Sequence, residues 1–250
     1  MKKIIVSSKF NIMTGIRNKT YGRNENLRFT EGWIENRMRI FMNFTRKSLE
    51  KQTNQDFTAL YVYEDSTEEL INHALPKYSH LPENIRFIKK TEYNSAIDSL
   101  TTGYDELYLT RLDSDDMYAN TFIQKLHDYK PKEETEALLC QYGYIYDCIN
   151  KRLGEYYHYQ FTFYTFIYKL NKEGKKFSSL NITPWDVLVN FSHQKIIDYK
   201  YESIPERNFI FNIHTHNTDS IFGIYDWGNC KVEREILDKV EIGRITSDFF

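Results

Sequence analysis

The sequence predicts an α/β protein with a mainly parallel central sheet and an added antiparallel hairpin. Two observations carry the prediction. In the first half of the chain, apolar runs typical of buried strands alternate with segments of helical spacing, which is the pattern of βαβ units. In the second half, two long aromatic runs flank a short turn. The 250 residues, 41% hydrophobic and 27% charged, suit one globular domain with ample core.

The elements of the first half follow in order. "KIIVSS" predicts a first strand, and apolar spacing from Trp33 to Leu49 predicts a helix with one buried face. "FTALYVYED" and "NIRFIKK" predict two more strands, separated by the helix "STEELINHAL" with Ser66 or Thr67 near its cap. A short helix is predicted over 93–101. "DELYLTRL" is the fourth strand, and a helix is expected over the apolar positions from Tyr118 to Tyr129.

In the second half, "EALLCQYGYIYDC" and "EYYHYQFTFYTFIYKL" each have the length and composition of one long strand. The turn "NKRLG" lies between them. We therefore expect an antiparallel hairpin against the parallel sheet.

Composition limits the partners and the location. Lys and Arg number 33 against 35 for Asp and Glu, a net charge of −2, so no overall field favours nucleic acid. Cys140, Cys148 and Cys230 are odd in number and lack C-x-x-C spacing, which suits a reducing cytoplasm. The apolar stretch of "MKKIIVSSKFN" is too short for a signal peptide or a transmembrane helix. We expect a cytoplasmic protein without a transmembrane segment, and peripheral membrane association stays open.

Three carboxylates within four positions follow the fourth strand: Asp113, Asp115 and Asp116. Ligands of open α/β sheets bind outside the carboxyl ends of the strands, so these acids stand where a site is expected. Mg²⁺ and Mn²⁺ prefer oxygen ligands, and one or two carboxylates are enough when substrate phosphates complete the shell. A solvated turn with a helix cap at Asp116 explains the same pattern equally well.

The stretches "SLEKQTNQDFTALYVYEDSTEE" and "NSAIDSLTTGYDELYLTRLDSDDMY" resemble the nucleotide-binding half of family-2-type glycosyltransferases of the GT-A fold, the Rossmann-like fold of nucleotide-diphospho-sugar transferases. Within that superfamily, "WIENRMRIFMNFTRKSL", "TRLDSDD" and "FNIHTHNTDS" are most similar to the bacterial rhamnosyltransferase group. The resemblance implies a single domain over 1–250. Its nucleotide-sugar-binding half would be about 1–116, where the match is good, and its acceptor-binding half about 117–250, where the match is patchy.

The resemblance also implies an activity: a hexosyltransferase, and within that group a rhamnosyltransferase, of surface polysaccharide or glycan synthesis. It would move a sugar from a nucleotide-diphosphate sugar to a glycan or lipid-linked acceptor, with Mn²⁺ or Mg²⁺ on the diphosphate. Asp115 is then the first choice for metal contact, and Asp113 for metal or ribose. Asp65 matches the acid that holds the nucleoside, although an N-cap for "STEEL" is an equal alternative.

Further candidates come from the same comparison. Arg111 lies two positions before Asp113, so it would share a sheet face with it and could neutralise the acids or the diphosphate; a structural ion pair is the favoured interpretation. Asp98 stands where the family tends to have a polar residue near the donor. Asp186 in "NITPWDVLVNF" is the candidate base for the acceptor hydroxyl, and an acid favoured by the helix dipole after Pro184 is the alternative.

"FNIHTHNTDS" predicts a second set of ligands. His214 and His216 are two residues apart and would share one face of a strand. GT-A enzymes often complete the metal shell with a late His, and we favour His216 for that role, with Asn217 as a donor to phosphate or sugar. Histidines of the core are the alternative.

Two other classes of protein remain open. A HAD-type phosphohydrolase also has an apolar strand ending in D-x-D, but there the motif normally lies near the N-terminus and continues into Thr or Val. A noncatalytic sugar- or nucleotide-binding module would use the aromatic hairpin as its contact surface.

Overall fold

The computed structural model describes residues 1–12, 25–157, 162–170, 180–214, 222 and 231–250. The strands in this part of the chain are β1 (Lys2–Lys9), β2 (Thr58–Tyr63), β3 (Ile85–Lys89), β4 (Glu106–Arg111), β5 (Met117–Tyr118), β6 (Ala137–Cys140), β7 (Tyr142–Asp147), β8 (Arg152–Tyr157), β9 (Tyr164–Lys169), β10 (Tyr201–Ile204), β11 (Phe209–Ile213) and β12 (Lys231–Ile236). The α-helices there are α1 (Glu31–Asn43), α2 (Thr45–Glu50), α3 (Glu68–Ala74), α4 (Tyr93–Thr101), α5 (Phe122–Asp128), α6 (Pro184–Val189) and α7 (Lys239–Ser247).

The main sheet has seven strands in the order β10-β6-β9-β4-β1-β2-β3. Strands β3, β2, β1 and β4 are mutually parallel, and β9 runs antiparallel between β4 and β6. The predicted α/β class with a mainly parallel central sheet and antiparallel additions is confirmed. Its four parallel strands are those expected from the first half of the sequence.

Helices cover both faces of this sheet. The side chains of alternate strand residues divide between two cores: Val6 and Tyr61 face α1, α3 and α5, whereas Ile5 and Leu60 face α4 and α6. Strand β2 is buried along its whole length. This two-sided burial explains why the central strands appear in the sequence as continuous apolar runs.

The long helix expected from Trp33 to Leu49 is two helices. Helix α1 starts behind Thr30, whose hydroxyl accepts from the Trp33 N–H at 3.4 Å, and it ends where Phe44 leaves helical geometry (φ −124°, ψ −76°). Helix α4 has the predicted bounds. Tyr118, expected at the start of a helix, lies in β5 instead, and α5 begins four residues later.

The predicted hairpin exists, but each long run contains two strands. β7 and β8 pair antiparallel across the turn 148–151, where Lys151 has a positive φ of 54°. They belong to a second, five-stranded sheet of order β12-β8-β7-β11-β5. Their sequence neighbours β6 and β9 pair with each other in the main sheet. Each long run therefore has one strand in the main sheet and one in the second sheet, and the two runs are paired in both sheets.

Among the described residues, Cys140 and Cys148 are free thiols, and Cys140 is buried. No helix in the described part of the chain is long and apolar enough to cross a membrane.

Candidate active site

The three acids lie in the short connection between the two sheets, which we call the acid segment (residues 112–116). It leaves the main sheet at Arg111, the last residue of β4, and enters the second sheet at Met117. A backbone bond from the Asp116 N–H to the Asp113 carbonyl (3.2 Å) tightens it. Asp113, Asp115 and Asp116 each offer an oxygen, and the three atoms lie within 4.8 Å of one another.

Asp115 is paired with a cation and a histidine. Arg37 of α1 donates from Nη1 to Oδ2 (2.8 Å) and from Nη2 to Oδ1 (3.0 Å), and His214 Nε2 lies 3.1 Å from Oδ2. Because an ionised carboxylate only accepts, this geometry places an imidazole proton on Nε2. Burial opposes ionisation of Asp115, but the charge of Arg37 and the bond from His214 outweigh it and hold the pKa of Asp115 below its ordinary value.

Asp113 is paired with Arg111, as the favoured interpretation of the sequence predicted. Arg111 Nη2 lies 2.5 Å from Asp113 Oδ2, and Nη1 donates to the Thr162 carbonyl at 2.7 Å. Burial opposes the charge of Arg111, yet Asp113 keeps its pKa above the ordinary value. Asp113 is the more exposed partner, with 34% of its side chain accessible against 14% for Arg111.

Asp116 is the buried member of the group, at 3% exposure. Its Oδ1 accepts from the Asn212 N–H of β11 at 3.0 Å. Burial, followed by the charges of Asp115 and Asp113, raises the pKa of Asp116 well above its ordinary value. Asp115 and Asp113 face two guanidinium groups, Arg37 and Arg111, and the surroundings of Asp116 favour its neutral form. This arrangement is how the chain accommodates three acids within four positions.

A buried hydroxyl lies within electrostatic reach of the acids. Tyr61 of β2 is fully buried, its ring packs against Phe41 of α1 at 4.5 Å, and its hydroxyl has no hydrogen-bond partner among the described residues. Burial, and then the negative charges of the three acids, raises the pKa of Tyr61 well above its ordinary value. The carboxylate oxygens of Asp113, Asp115 and Asp116 lie within 4.8 Å of one another and are the ligand type that Mg²⁺ or Mn²⁺ prefers, so these residues fit such an ion.

Asp65 lies at the carboxyl edge of β2, where the nucleoside acid was predicted. Its carboxylate accepts from the Thr91 hydroxyl and from the Thr91 N–H (3.3 Å), which ties the end of β2 to the turn after β3. These bonds, the Thr91 hydroxyl first, lower the pKa of Asp65. The alternative role as cap of "STEEL" is not seen, because Thr67 occupies that position and no side chain caps α3.

Asp98 and Asp186 are not joined to the acid segment by any contact among the described residues. Asp98 is exposed in the second turn of α4. Asp186 lies in the first turn of α6, where Thr183 Oγ1 donates to its Oδ2 at 2.6 Å and accepts from its N–H at 3.1 Å. Thr183 is the N-cap, and Asp186 lies in the first turn, the position given by the alternative of an acid favoured by the helix dipole. Its role as base stays a prediction.

The second half of the chain reaches the acids through β11. That strand ends at Ile213, so His214 follows it immediately and turns a buried imidazole toward Asp115. The structure places His214 next to Asp115, and the ligation of metal by either histidine stays a prediction. His216 and Asn217 lie outside the described residues.

Sequence reasoning missed Arg37 and Ser114. Arg37 Nε donates to the hydroxyl of the fully buried Ser114 at 2.7 Å, so the guanidinium holds two residues of the acid segment. A signal was present in the sequence. Arg37 follows Ile34 by three positions and precedes Phe41 by four, so a charged residue stands within the apolar stripe of α1.

Comparisons with known proteins agree with the sequence resemblance. The sequence profile of the family described as "Putative rhamnosyl transferase" matches residues 5–220. No curated protein matches the chain in sequence.

Three solved structures are similar to the chain at low identity. S. aureus TarS is 11% identical, with TM-score 0.39, over 85% of this chain and 36% of that one. The structure of TarS residues 1–349 in complex with UDP is also 11% identical, with TM-score 0.41, over 85% of this chain and 60% of that one. An active-site mutant of LgtC is 11% identical, with TM-score 0.30, over 56% of this chain and 46% of that one. The chain thus spans between about a third and three fifths of the length of these proteins. Because the family profile covers most of its length, the chain belongs to the family described as "Putative rhamnosyl transferase".

Proposed function

We propose that the chain is a divalent-metal-dependent glycosyltransferase that moves a sugar from a nucleotide-diphosphate sugar to a hydroxyl of a glycan or lipid-linked acceptor. One observation carries the proposal beyond family membership. The carboxylates of Asp113 and Asp115 lie at the carboxyl end of β4, a central strand of a parallel sheet, with their oxygens within 4.8 Å. That position is the usual ligand site of open α/β sheets.

Asp113 and Asp115 would hold the ion, and His214 Nε2 would join them once its proton is lost or moved to Nδ1. A bound Mg²⁺ or Mn²⁺ supplies positive charge to the leaving diphosphate. The other groups act on the substrate directly. Asp65, at the carboxyl edge of the neighbouring β2, would accept from the base or ribose of the donor. Arg111 holds the Asp113 carboxylate in place through their ion pair.

The acceptor hydroxyl loses a proton during transfer, and a base must take it. Asp186 remains our candidate. It is ionised in the fold, because hydrogen bonding to Thr183, the largest cause, lowers its pKa. To act on the acceptor, its carboxylate would exchange the Thr183 hydroxyl for the substrate hydroxyl.

A thermal-shift screen tests the proposal. Nucleoside diphosphates of the common bases are added with Mn²⁺ or with EDTA, because a ligand that binds only the folded state raises the melting temperature by mass action. We expect one nucleotide to raise the melting temperature in the presence of Mn²⁺ but not in EDTA. The Asp115→Asn variant should lose this response. Asp198→Asn, at an exposed acid outside the site, is the matched control and should keep it. Equal shifts in EDTA, or none with any nucleotide, would contradict the proposal.

A further inference from the structure

All hydrogen-bonding nitrogens of the Arg37 guanidinium are engaged by the acid segment. Nε donates to Ser114, and the two terminal nitrogens donate to the two oxygens of Asp115, at 2.7, 2.8 and 3.0 Å. The side chain comes from α1, which packs on the main sheet through Ile34 and Phe41. Its guanidinium is therefore fixed in front of the carboxylate that we assign to the metal.

In this arrangement both oxygens of Asp115 already accept hydrogen bonds. Oδ1 accepts from Arg37, and Oδ2 accepts from both Arg37 and His214. A divalent ion needs direct contact with a carboxylate oxygen and is repelled by a guanidinium a few ångströms away. The two cations therefore compete for one anion, and Arg37 holds it in the structure.

The contacts of Arg37 permit it to separate from Asp115. About a fifth of its side chain (19%) is accessible, so water reaches the group, and the pair is held by hydrogen bonds to side chains alone. A guanidinium matches the oxygen spacing of a phosphate as well as that of a carboxylate. A diphosphate that arrives with its metal would bring a replacement partner for each member of the pair.

We propose that Arg37 occupies the cation position of Asp115 in the ligand-free protein, and that metal and donor displace it from the carboxylate onto the diphosphate. Arg37 is then a competitor of free metal and a ligand of the bound donor. The inference rests on the proposed function for the identity of the donor. The first part of the inference, competition between Arg37 and free metal, depends only on the contacts of Arg37 with Asp115.

The first test uses Mn²⁺ alone, without nucleotide. Mn²⁺ binding to the protein is measured by electron paramagnetic resonance of the free ion, for wild type and for Arg37→Gln. We expect Arg37→Gln to bind Mn²⁺ about tenfold more tightly or better, since a partly buried pair that opposes binding is gone. The rise in melting temperature caused by Mn²⁺ should likewise be larger in the variant. Equal or weaker Mn²⁺ binding by Arg37→Gln would overturn the proposal.

Arg39→Gln is the matched control. It lies on the same helix two positions later, removes the same charge, and is exposed with a bond to Asn36 (2.8 Å) rather than to the acids. We expect its Mn²⁺ affinity to equal that of wild type, whereas an equal gain in both variants would reduce the effect to general electrostatics and overturn the proposal. If Arg37→Gln does not fold, Arg37→Lys keeps the charge, loses the two-pronged contact, and should also bind Mn²⁺ more tightly than wild type.

The second test adds the nucleoside diphosphate at saturating Mn²⁺ and measures its affinity by calorimetry. We expect Arg37→Gln to bind the nucleotide about tenfold more weakly although it binds metal more tightly. This opposite response is one that a purely structural role would not give. Unchanged nucleotide affinity would overturn the assignment of Arg37 to the diphosphate. If wild type binds no nucleotide at all, the proposed function fails, and the Mn²⁺ measurement still decides whether Arg37 competes with metal.

Discussion

Two neighbouring acids of the site should respond in opposite ways to the same substitution. In metal-free buffer, we expect Asp115→Asn to destabilise the fold and Asp116→Asn to leave its stability nearly unchanged. Asn has almost the volume of Asp but no charge, and it replaces one acceptor with an N–H₂ donor. The outcome therefore depends on what each carboxylate faces in the structure.

Asp115 faces donors on both oxygens, two from Arg37 and one from His214. Either orientation of an Asn amide would place its N–H₂ against a guanidinium nitrogen, and the charge of Arg37 would lose its partner. Loss of one partner of a buried ion pair costs about 3–5 kcal/mol. Because 14–19% of these two side chains is accessible and water can reach them, we expect a value below that range, about 2–3 kcal/mol.

Asp116 faces one backbone donor, the Asn212 N–H, at Oδ1. An Asn there can keep that bond through its own oxygen. The surroundings also disfavour charge, as the raised pKa of Asp116 shows. We expect a change within about 1 kcal/mol, the net value of one ordinary hydrogen bond.

Urea unfolding at pH 7 in EDTA, followed by tryptophan fluorescence and circular dichroism, would measure both free energies of unfolding. The difference between the two variants carries the test, because both remove one carboxylate from the same segment. If Asp116→Asn costs as much as Asp115→Asn, the assignment of a paired charge to one acid and a neutral form to the other is wrong.

Three further predictions concern other parts of the chain. Asp186→Asn should lower transfer turnover strongly with little change in donor affinity, because a base acts in the transition state; steady-state kinetics would separate kcat from KM. Burial opposes the charge of Glu202, but hydrogen bonds, the one from Thr135 first, outweigh burial and lower the pKa of Glu202. The charged carboxylate therefore stabilises the fold above the unfolded pKa of about 4.3, and this stabilisation is lost as the pH falls below that value. Urea midpoints should therefore separate wild type from Glu202→Gln at pH 7, and the difference should shrink as the pH falls below the unfolded pKa of Glu. Gly143→Ala should lower stability by about 1–3 kcal/mol or more, since a Cβ there would lie 2.5 Å from the Phe209 ring and 2.6 Å from its carbonyl oxygen; thermal unfolding would measure it.

Each of these has a result that would count against it. Wild-type turnover in Asp186→Asn would leave that residue as the capping acid seen in the structure. A gap between wild type and Glu202→Gln that persists in acid would mean that its charge is not the cause. Gly32→Ala, with nothing within 4 Å of the added Cβ, is the control for Gly143→Ala and should not destabilise the fold.

The central sheet could be predicted because its information is local. Strand β2 is buried on both faces, so "TALYVY" is apolar throughout and is recognised without knowledge of its neighbours. The division of the long aromatic runs could not be predicted in this way. β6 and β7 are separated by Gln141 alone, and the strand composition continues through it. Only the pairing partners, β9 for one and β8 for the other, assign them to different sheets.

The same distinction applies to the site. Asp113 and Asp115 could be found because they follow one strand directly, and Asp65 because it ends another. Arg37 gave only the weak signal of a charge within an apolar stripe, since its partner lies 78 residues further along the chain. A first-turn acid favoured by the helix dipole was an open alternative for Asp186 in the sequence, and only the orientation of the Thr183 side chain shows the bonds that hold it there.

The partners of Asp115 come from the distant parts of the chain, 78 residues before it and 99 after it. During folding, the acid segment therefore cannot lose its water until both the first helix and the strand ahead of His214 have arrived, and contacts this far apart in sequence form slowly. On the ribosome, the acids would emerge well before the residue that completes their environment. A fragment that ends at residue 116 would carry the whole D-x-D motif and still lack His214 and Asn212. We expect metal or nucleotide binding to report completed folding of the entire chain, and a nucleotide that binds should rescue variants whose folding stalls late.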